Sequence, residues 1–166
     1  MDLCFGDHKL FVMFRPKNSL TTGSPAPSFE SSLTLPSGEE LTAYLREGLC
    51  LVFFFPRAET PGCTAQACSL RDAFAELSEK GIRVLGVSGD SEERQRRFSE
   101  NRNLPYPLYS DKSGDVVKAF GVPSFLGLVK RQAFLFRDGV LIWKDESAST
   151  QKQAQDVLEI LDTLEN

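Results

Sequence analysis

The chain has 166 residues, 41% hydrophobic and 25% charged, an ordinary globular balance that excludes a disordered or fibrous chain. Nineteen Lys and Arg against 23 Asp and Glu leave a formal charge of −4, so the whole chain carries no electrostatic footprint for nucleic acid. A chain of this length buries about 70% of its unfolded surface, which suffices for one core and one domain.

Residues 1–22 lack periodicity and read as an N-terminal extension, with residues 23–166 as a single domain. The only early apolar run, Leu10 to Phe14, is shorter than the roughly 7–15 residues of a secretory core. No stretch approaches the roughly 18 apolar residues of a membrane span. A cytoplasmic protein with no membrane partner is expected. SLTTGSPAP at 19–27 reads as loop, and TLPSG at 34–38 as a turn.

Residues 40–47 predict a short helix with Leu41, Tyr44 and Leu45 on one face. LCLVFFF at 49–55 is a continuous apolar run, the pattern of a strand buried on both sides of an α/β sheet, and Pro56 ends it. Ala67, Leu70, Phe74 and Leu77 recur at helical spacing and predict one helix over 64–80, stopped by Gly81. IRVLGV at 82–87 is the next buried strand, followed by a charged, solvent-facing helix over 91–101. A short strand at 108–110, a turn at 111–114 and a short helix at 116–120 come next. Strands at 132–136 and 140–144 flank Asp138-Gly139, a strong hairpin signal. A helix over 150–164, with Val157, Leu158, Leu161 and Leu164 on one side, closes the chain. Helix-linked strands imply a parallel part and the hairpin makes the sheet mixed, so the fold class is α/β.

The chain has one histidine, His8, and four cysteines, Cys4, Cys50, Cys63 and Cys68. A Ser-His-Asp or Cys-His arrangement would need His8, which reads as a tail residue, like Cys4. The four-residue gap between Cys63 and Cys68 is not a common zinc spacing, and there is no second close pair. No metal and no cofactor is expected. In a reducing compartment a close cysteine pair is more often catalytic than structural. Cys50, at the mouth of the first strand, reads as a small core hydrophobe, and Trp143 as packing.

The informative stretch is PRAETPGCTAQAC at 56–68, where a buried strand turns into a helix. Thr60 is a suitable N-cap, and Pro61 then takes the first helical position that proline favours. Cys63 falls in the first turn, among free backbone N–H groups at the positive end of the helix dipole. That environment favours thiolate over thiol. The Thr60 hydroxyl, one turn back, is placed to donate to the sulfur or to a bound oxygen. Five helical residues advance about 7.5 Å and rotate about 140°, leaving the Cα atoms of Cys63 and Cys68 about 8.5 Å apart. A disulfide wants less than about 7 Å, so the two can bond only if the helix unwinds locally. The spacing suits a cycle in which Cys63 reacts first with something small. A peroxide is the natural partner: thiolate attack gives a sulfenic acid, and a second thiol condenses with it.

Here the chain resembles a known family. Pro56, Thr60 and Cys63 match the active-site signature of peroxiredoxins. TPGCT at 60–64 with Cys68 is similar to the bacterioferritin comigratory protein and peroxiredoxin Q subgroup, as are GSPAPSF at 23–29 and LRD at 70–72. The resemblance implies a thioredoxin fold and a peroxidase acting on hydrogen peroxide and organic hydroperoxides, with thioredoxin or a similar reductant and a monomeric state. Carried over by residue, it implies Cys63 as the peroxidatic and Cys68 as the resolving cysteine. It makes Thr60 the group that orients the peroxide, Pro56 the shield of the pocket, and Arg131 the arginine beside the thiolate. Gln66 departs from the Glu that many members carry. Two other functions stay open: a peroxide-sensing redox switch, and a reductase of protein disulfides.

Overall fold

The computed structural model describes residues 19–166, so the readings made for Cys4 and His8 lie outside the described residues. The elements in chain order are α1 (Leu41–Arg46), β1 (Leu49–Phe54), α2 (Pro61–Asp72), α3 (Phe74–Glu79), β2 (Ile82–Ser88) and α4 (Glu92–Arg102). They continue with β3 (Leu108–Ser110), α5 (Asp115–Phe120), β4 (Ser124–Phe125), β5 (Leu128–Val129), β6 (Gln132–Arg137), β7 (Val140–Asp145) and α6 (Gln153–Glu165).

The main sheet has the order β3-β2-β1-β6-β7. β1, β2 and β3 run parallel, while β6 is antiparallel to β1 and to β7. β1 is central, and every residue after Leu49 is buried, as an apolar run with helices on both faces requires. Alternate residues feed two cores. Leu51, Phe53 and Phe55 join Val84, Ala133 and Leu135 under Ala67 and Leu70 of α2 and Val157 and Leu161 of α6. Cys50, Val52 and Phe54 join Phe134 and Phe136 under α1 and α5. Phe54, Phe120 and Phe134 pack edge to face at 5.1–5.6 Å, a geometry that adds about 0.5–1.5 kcal/mol per pair beyond burial. Gly86 of β2 is required where it stands, because a Cβ there would sit 2.5 Å from Leu108 Cδ2 and 2.8 Å from Phe53 Cζ.

Several expectations change. The helix expected over 64–80 is two helices, α2 and α3, separated at Ala73 (φ −93°, ψ 4°). The break turns Phe74 onto Tyr106, with ring centroids 6.2 Å apart, and neither Gly nor Pro announces it. The charged α4 is anchored by buried Gln95 and Phe98. β4 and β5, a small hairpin without apolar alternation, were not expected from the sequence. α6 begins at Gln153, and Leu164 is exposed instead of facing the core. The turn at Asp138 and Gly139 has positive φ at both residues, as the Asp-Gly signal requires. Ser19 and Leu20 lie against the body: Lys144 Nζ donates to Ser19 Oγ at 2.6 Å, and Leu20 packs on the second core.

Candidate active site at the first turn of helix α2

The loop from β1 into α2 is held at both backbone polar groups of one residue, Ala58. Ala58 N–H donates to Asp90 Oδ2 at 2.7 Å, and Arg94 Nη2 donates to Ala58 O at 3.0 Å. Arg94 and Asp90 pair with each other at 3.2 Å, which closes the clamp. Glu59 adopts a positive φ of 65° just before Thr60, and its carboxylate accepts from Asn101 Nδ2 at 2.8 Å. The strained residue is thus tied down on both sides, and the chain enters α2 in one direction.

Thr60 occupies the N-cap with an extended backbone, and Pro61 follows in the first turn. The Thr60 side chain departs from expectation. It does not cap the helix; its hydroxyl donates to Arg57 O at 2.8 Å. Its proton is spent there, so its oxygen faces a ligand only as an acceptor. Arg57 enters the site through its carbonyl, while its side chain is exposed.

Cys63 is 1% exposed and belongs to the apolar core beneath α2. Gly62 and Cys63 lie in the first turn, where backbone N–H groups have no intrahelical acceptor. Arg131, immediately before β6, donates Nη2 to Cys63 Sγ at 3.4 Å. Cys63 and Arg131 are thus brought together from 68 residues apart in sequence. Gly62 makes room for this approach: a Cβ there would lie 3.2 Å from Arg131 Nη2 and 3.5 Å from Thr150 Cγ2. The second Arg131 nitrogen, Nη1, donates to Oε1 of the buried Gln66.

Pro56 is half-buried and lines a cleft with Gly89, Asp90, Arg94 and Leu126 to Leu128. Cys68 lies in the same unbroken helix as Cys63 but opens elsewhere, into a groove between α2 and α6 lined by Asp72, Glu76, Gln151 and Leu158. Cys50, Cys63 and Cys68 are all free thiols. Among the described residues, no cluster of three or more His, Cys, Asp and Glu is placed to hold a metal ion. No helix among them is long and apolar enough to cross a membrane.

Cys50 is fully buried, and burial pushes its thiol up to about 12. It therefore stays protonated and shielded at neutral pH. An unfolded chain loses that proton near pH ~8.5 while the folded chain keeps it, so this thiol's contribution to stability declines as pH rises from there toward 12. In native protein at pH 8, Cys50 should escape alkylation while Cys68 reacts, and urea should expose it. Peptide mass mapping checks this, and rapid native labelling of Cys50 would contradict its burial.

Sequence reasoning missed Asp90, Arg94, Gln153 and the space requirement at Gly62. Each matters through a contact 30 or more residues away or through a clash, and neither leaves a local spacing pattern.

Residues 22–144 match the AhpC/TSA family. The chain is 44% identical to "Peroxiredoxin Bcp" of Escherichia coli (strain K12) over 114 residues, covering 66% of this chain and 72% of that protein. It is 35% identical to "Peroxiredoxin Q, chloroplastic" of Sedum lineare over 158 residues, covering 89% and 83%. Among solved structures, Peroxidoxin BcpB from Mycobacterium tuberculosis superposes with a TM-score of 0.75 at 36% identity, covering 86% of this chain and 96% of that one. A mutant of Xylella fastidiosa PrxQ matches in fold, with a TM-score of 0.76 at 21% identity over 90% of this chain and 99% of that one. The mixed sheet with helices on both faces is therefore the thioredoxin fold as peroxiredoxins carry it. A family match across most of the chain, joined to these identities, places the protein in the AhpC/TSA family, with peroxiredoxins of the Bcp and Q kinds among its relatives.

Proposed function

We propose that this chain is a thioredoxin-dependent thiol peroxidase that reduces hydrogen peroxide and organic hydroperoxides with Cys63 as nucleophile. The observation that carries the reading is the Arg131 guanidinium 3.4 Å from a cysteine sulfur in the first turn of a helix. A cation and a helix N-terminus both favour the anionic sulfur, and the same donors stabilise charge on a leaving oxygen. The peroxide O–H donates to Thr60 Oγ1, whose own proton is engaged by Arg57 O. The Cys63 thiolate attacks that hydroxyl oxygen. The O–O bond breaks, Cys63 becomes a sulfenic acid, and the alkoxide or hydroxide leaves with Arg131 beside it before taking a proton from solvent. Pro56 limits access of water from the cleft that it lines.

Cys68 then attacks the sulfenic sulfur, releasing water and forming a disulfide. With about 8.5 Å between Cα positions five residues apart in a helix, α2 must open for this step. The half-buried Cys68 sits at an open groove, which leaves the disulfide within reach of a dithiol reductant of the thioredoxin type. The domain is residues 23–166 behind an extension whose Ser19 and Leu20 pack back onto it, and it acts as a monomer in a reducing, cytoplasmic-type compartment. Ordinary cysteine usage in such compartments supports that placement.

One equivalent of hydrogen peroxide should produce a Cys63–Cys68 disulfide on mass mapping. Cys68→Ser should consume about one equivalent per chain and then stall as sulfenic acid with thioredoxin as reductant. Normal turnover by that variant would remove Cys68 from the cycle.

A further inference from the structure

Behind Arg131 lies a pair of buried amides that the peroxide chemistry does not use. Gln66 is fully buried and Gln153, in the first turn of α6, is 1% exposed. Gln66 Oε1 accepts from Arg131 Nη1, and Gln66 Nε2 donates to Gln153 Oε1 at 2.5 Å. The polarity of this chain is forced. A guanidinium has only donors, so Gln66 must offer it oxygen. The Gln66 nitrogen then faces Gln153, which must offer oxygen in turn. Gln153 Nε2 is left over, buried and without a hydrogen-bond partner. A buried donor with no partner is costly, and folded proteins keep few of them.

A glutamate at position 66 would fit the same relay without adding an orphan. One carboxylate oxygen would accept from Arg131. Gln153, by turning its amide over, would donate Nε2 to the other and leave Oε1 as its unpaired end. Each arrangement thus leaves one end of the Gln153 amide unpaired, and hydrogen-bond satisfaction does not separate them. The difference between the two arrangements is charge. Among the described residues, the hydrogen-bond partners of Arg131 are Gln66 and Cys63, and neither is a carboxylate. A carboxylate at 66 would share the guanidinium's positive charge, whereas an amide aims the guanidinium without neutralising it.

We propose that Gln66 and Gln153 are positioning residues that hold Arg131 through a neutral relay, so that its full positive charge acts on the Cys63 sulfur. The proposal rests on Cys63 as the reacting sulfur. It adds that α6, through Gln153, sets the reactivity of the first turn of α2.

The test follows thiolate formation at Cys63 by ultraviolet absorbance against pH, as the difference from Cys63→Ser, with thermal midpoints measured alongside. All variants carry Cys68→Ser. Gln66→Glu should move the midpoint of thiolate formation upward by about one pH unit, with a thermal midpoint close to that of the parent. Gln153→Met keeps the side-chain length but removes the acceptor; it should move the thiolate midpoint in the same direction by a smaller amount. An unmoved midpoint in Gln66→Glu overturns the charge argument, and an unmoved midpoint in Gln153→Met overturns the role of α6. A clear drop in thermal midpoint for Gln66→Glu, or failure of that variant to fold, overturns the claim that Gln153 can accommodate the carboxylate. The readout is protonation, not turnover. A chain that shows these shifts but consumes no peroxide would therefore disprove the peroxidase reading alone.

Discussion

Replacing Cys63 by serine should abolish thioredoxin-dependent peroxide consumption, a loss on the order of 10⁴-fold or more. The hydroxyl is nearly the shape of the thiol, so the local fold should survive, and Arg131 keeps a group to which it can donate. What disappears is the nucleophile. An alcohol is not ionised near neutral pH even beside a guanidinium and a helix N-terminus, and its oxygen cannot accept an oxygen atom as sulfur does. Coupled oxidation of reduced thioredoxin measures the loss, and circular dichroism verifies that the variant is folded. Full activity would move the chemistry to another of the four cysteines.

Arg131→Met should slow the first chemical step by about 10²–10³-fold, the usual effect of removing one donor aimed at developing charge. Methionine matches much of the length but carries no charge, and it leaves Gln66 Oε1 without its donor. Arg131→Lys should recover part of the rate and remain roughly tenfold slow. A single ammonium keeps the charge but cannot reach Gln66 and the Cys63 sulfur at once, as the two guanidinium nitrogens do. Stopped-flow measurement of sulfenic acid formation in single turnover isolates this step from recycling. A wild-type rate for Arg131→Met would show that the 3.4 Å contact is not part of catalysis.

The two changes probe groups of different legibility. Cys63 was readable from its neighbours, because Thr60, Pro61 and the apolar run before them describe a strand leading into a helix N-terminus. Arg131 was singled out only through the resemblance to peroxiredoxins, since an arginine before an apolar strand has no local mark of function. Gln66 stands three residues from Cys63, on the same helix, yet its bonding to Arg131 and Gln153 spans 65 and 87 residues. Thr60 shows the opposite failure. Its local pattern pointed to a side-chain cap, but the tight path from Pro56 to Pro61 brings Arg57 O closer to hand.

Alternating burial, turn residues and the length of apolar runs wrote the order of strands and helices into the chain, and with it the thiol at a helix mouth. Those signals act between residues a few positions apart, where spacing alone decides which face is buried. The break at Ala73, the clamp on Ala58, the approach of Arg131 over Gly62 and the unpaired amide of Gln153 were decided by packing. They depend on which distant segments the sheet and α6 bring within a few ångströms, and on whether the atoms that meet there can share donors, acceptors and space.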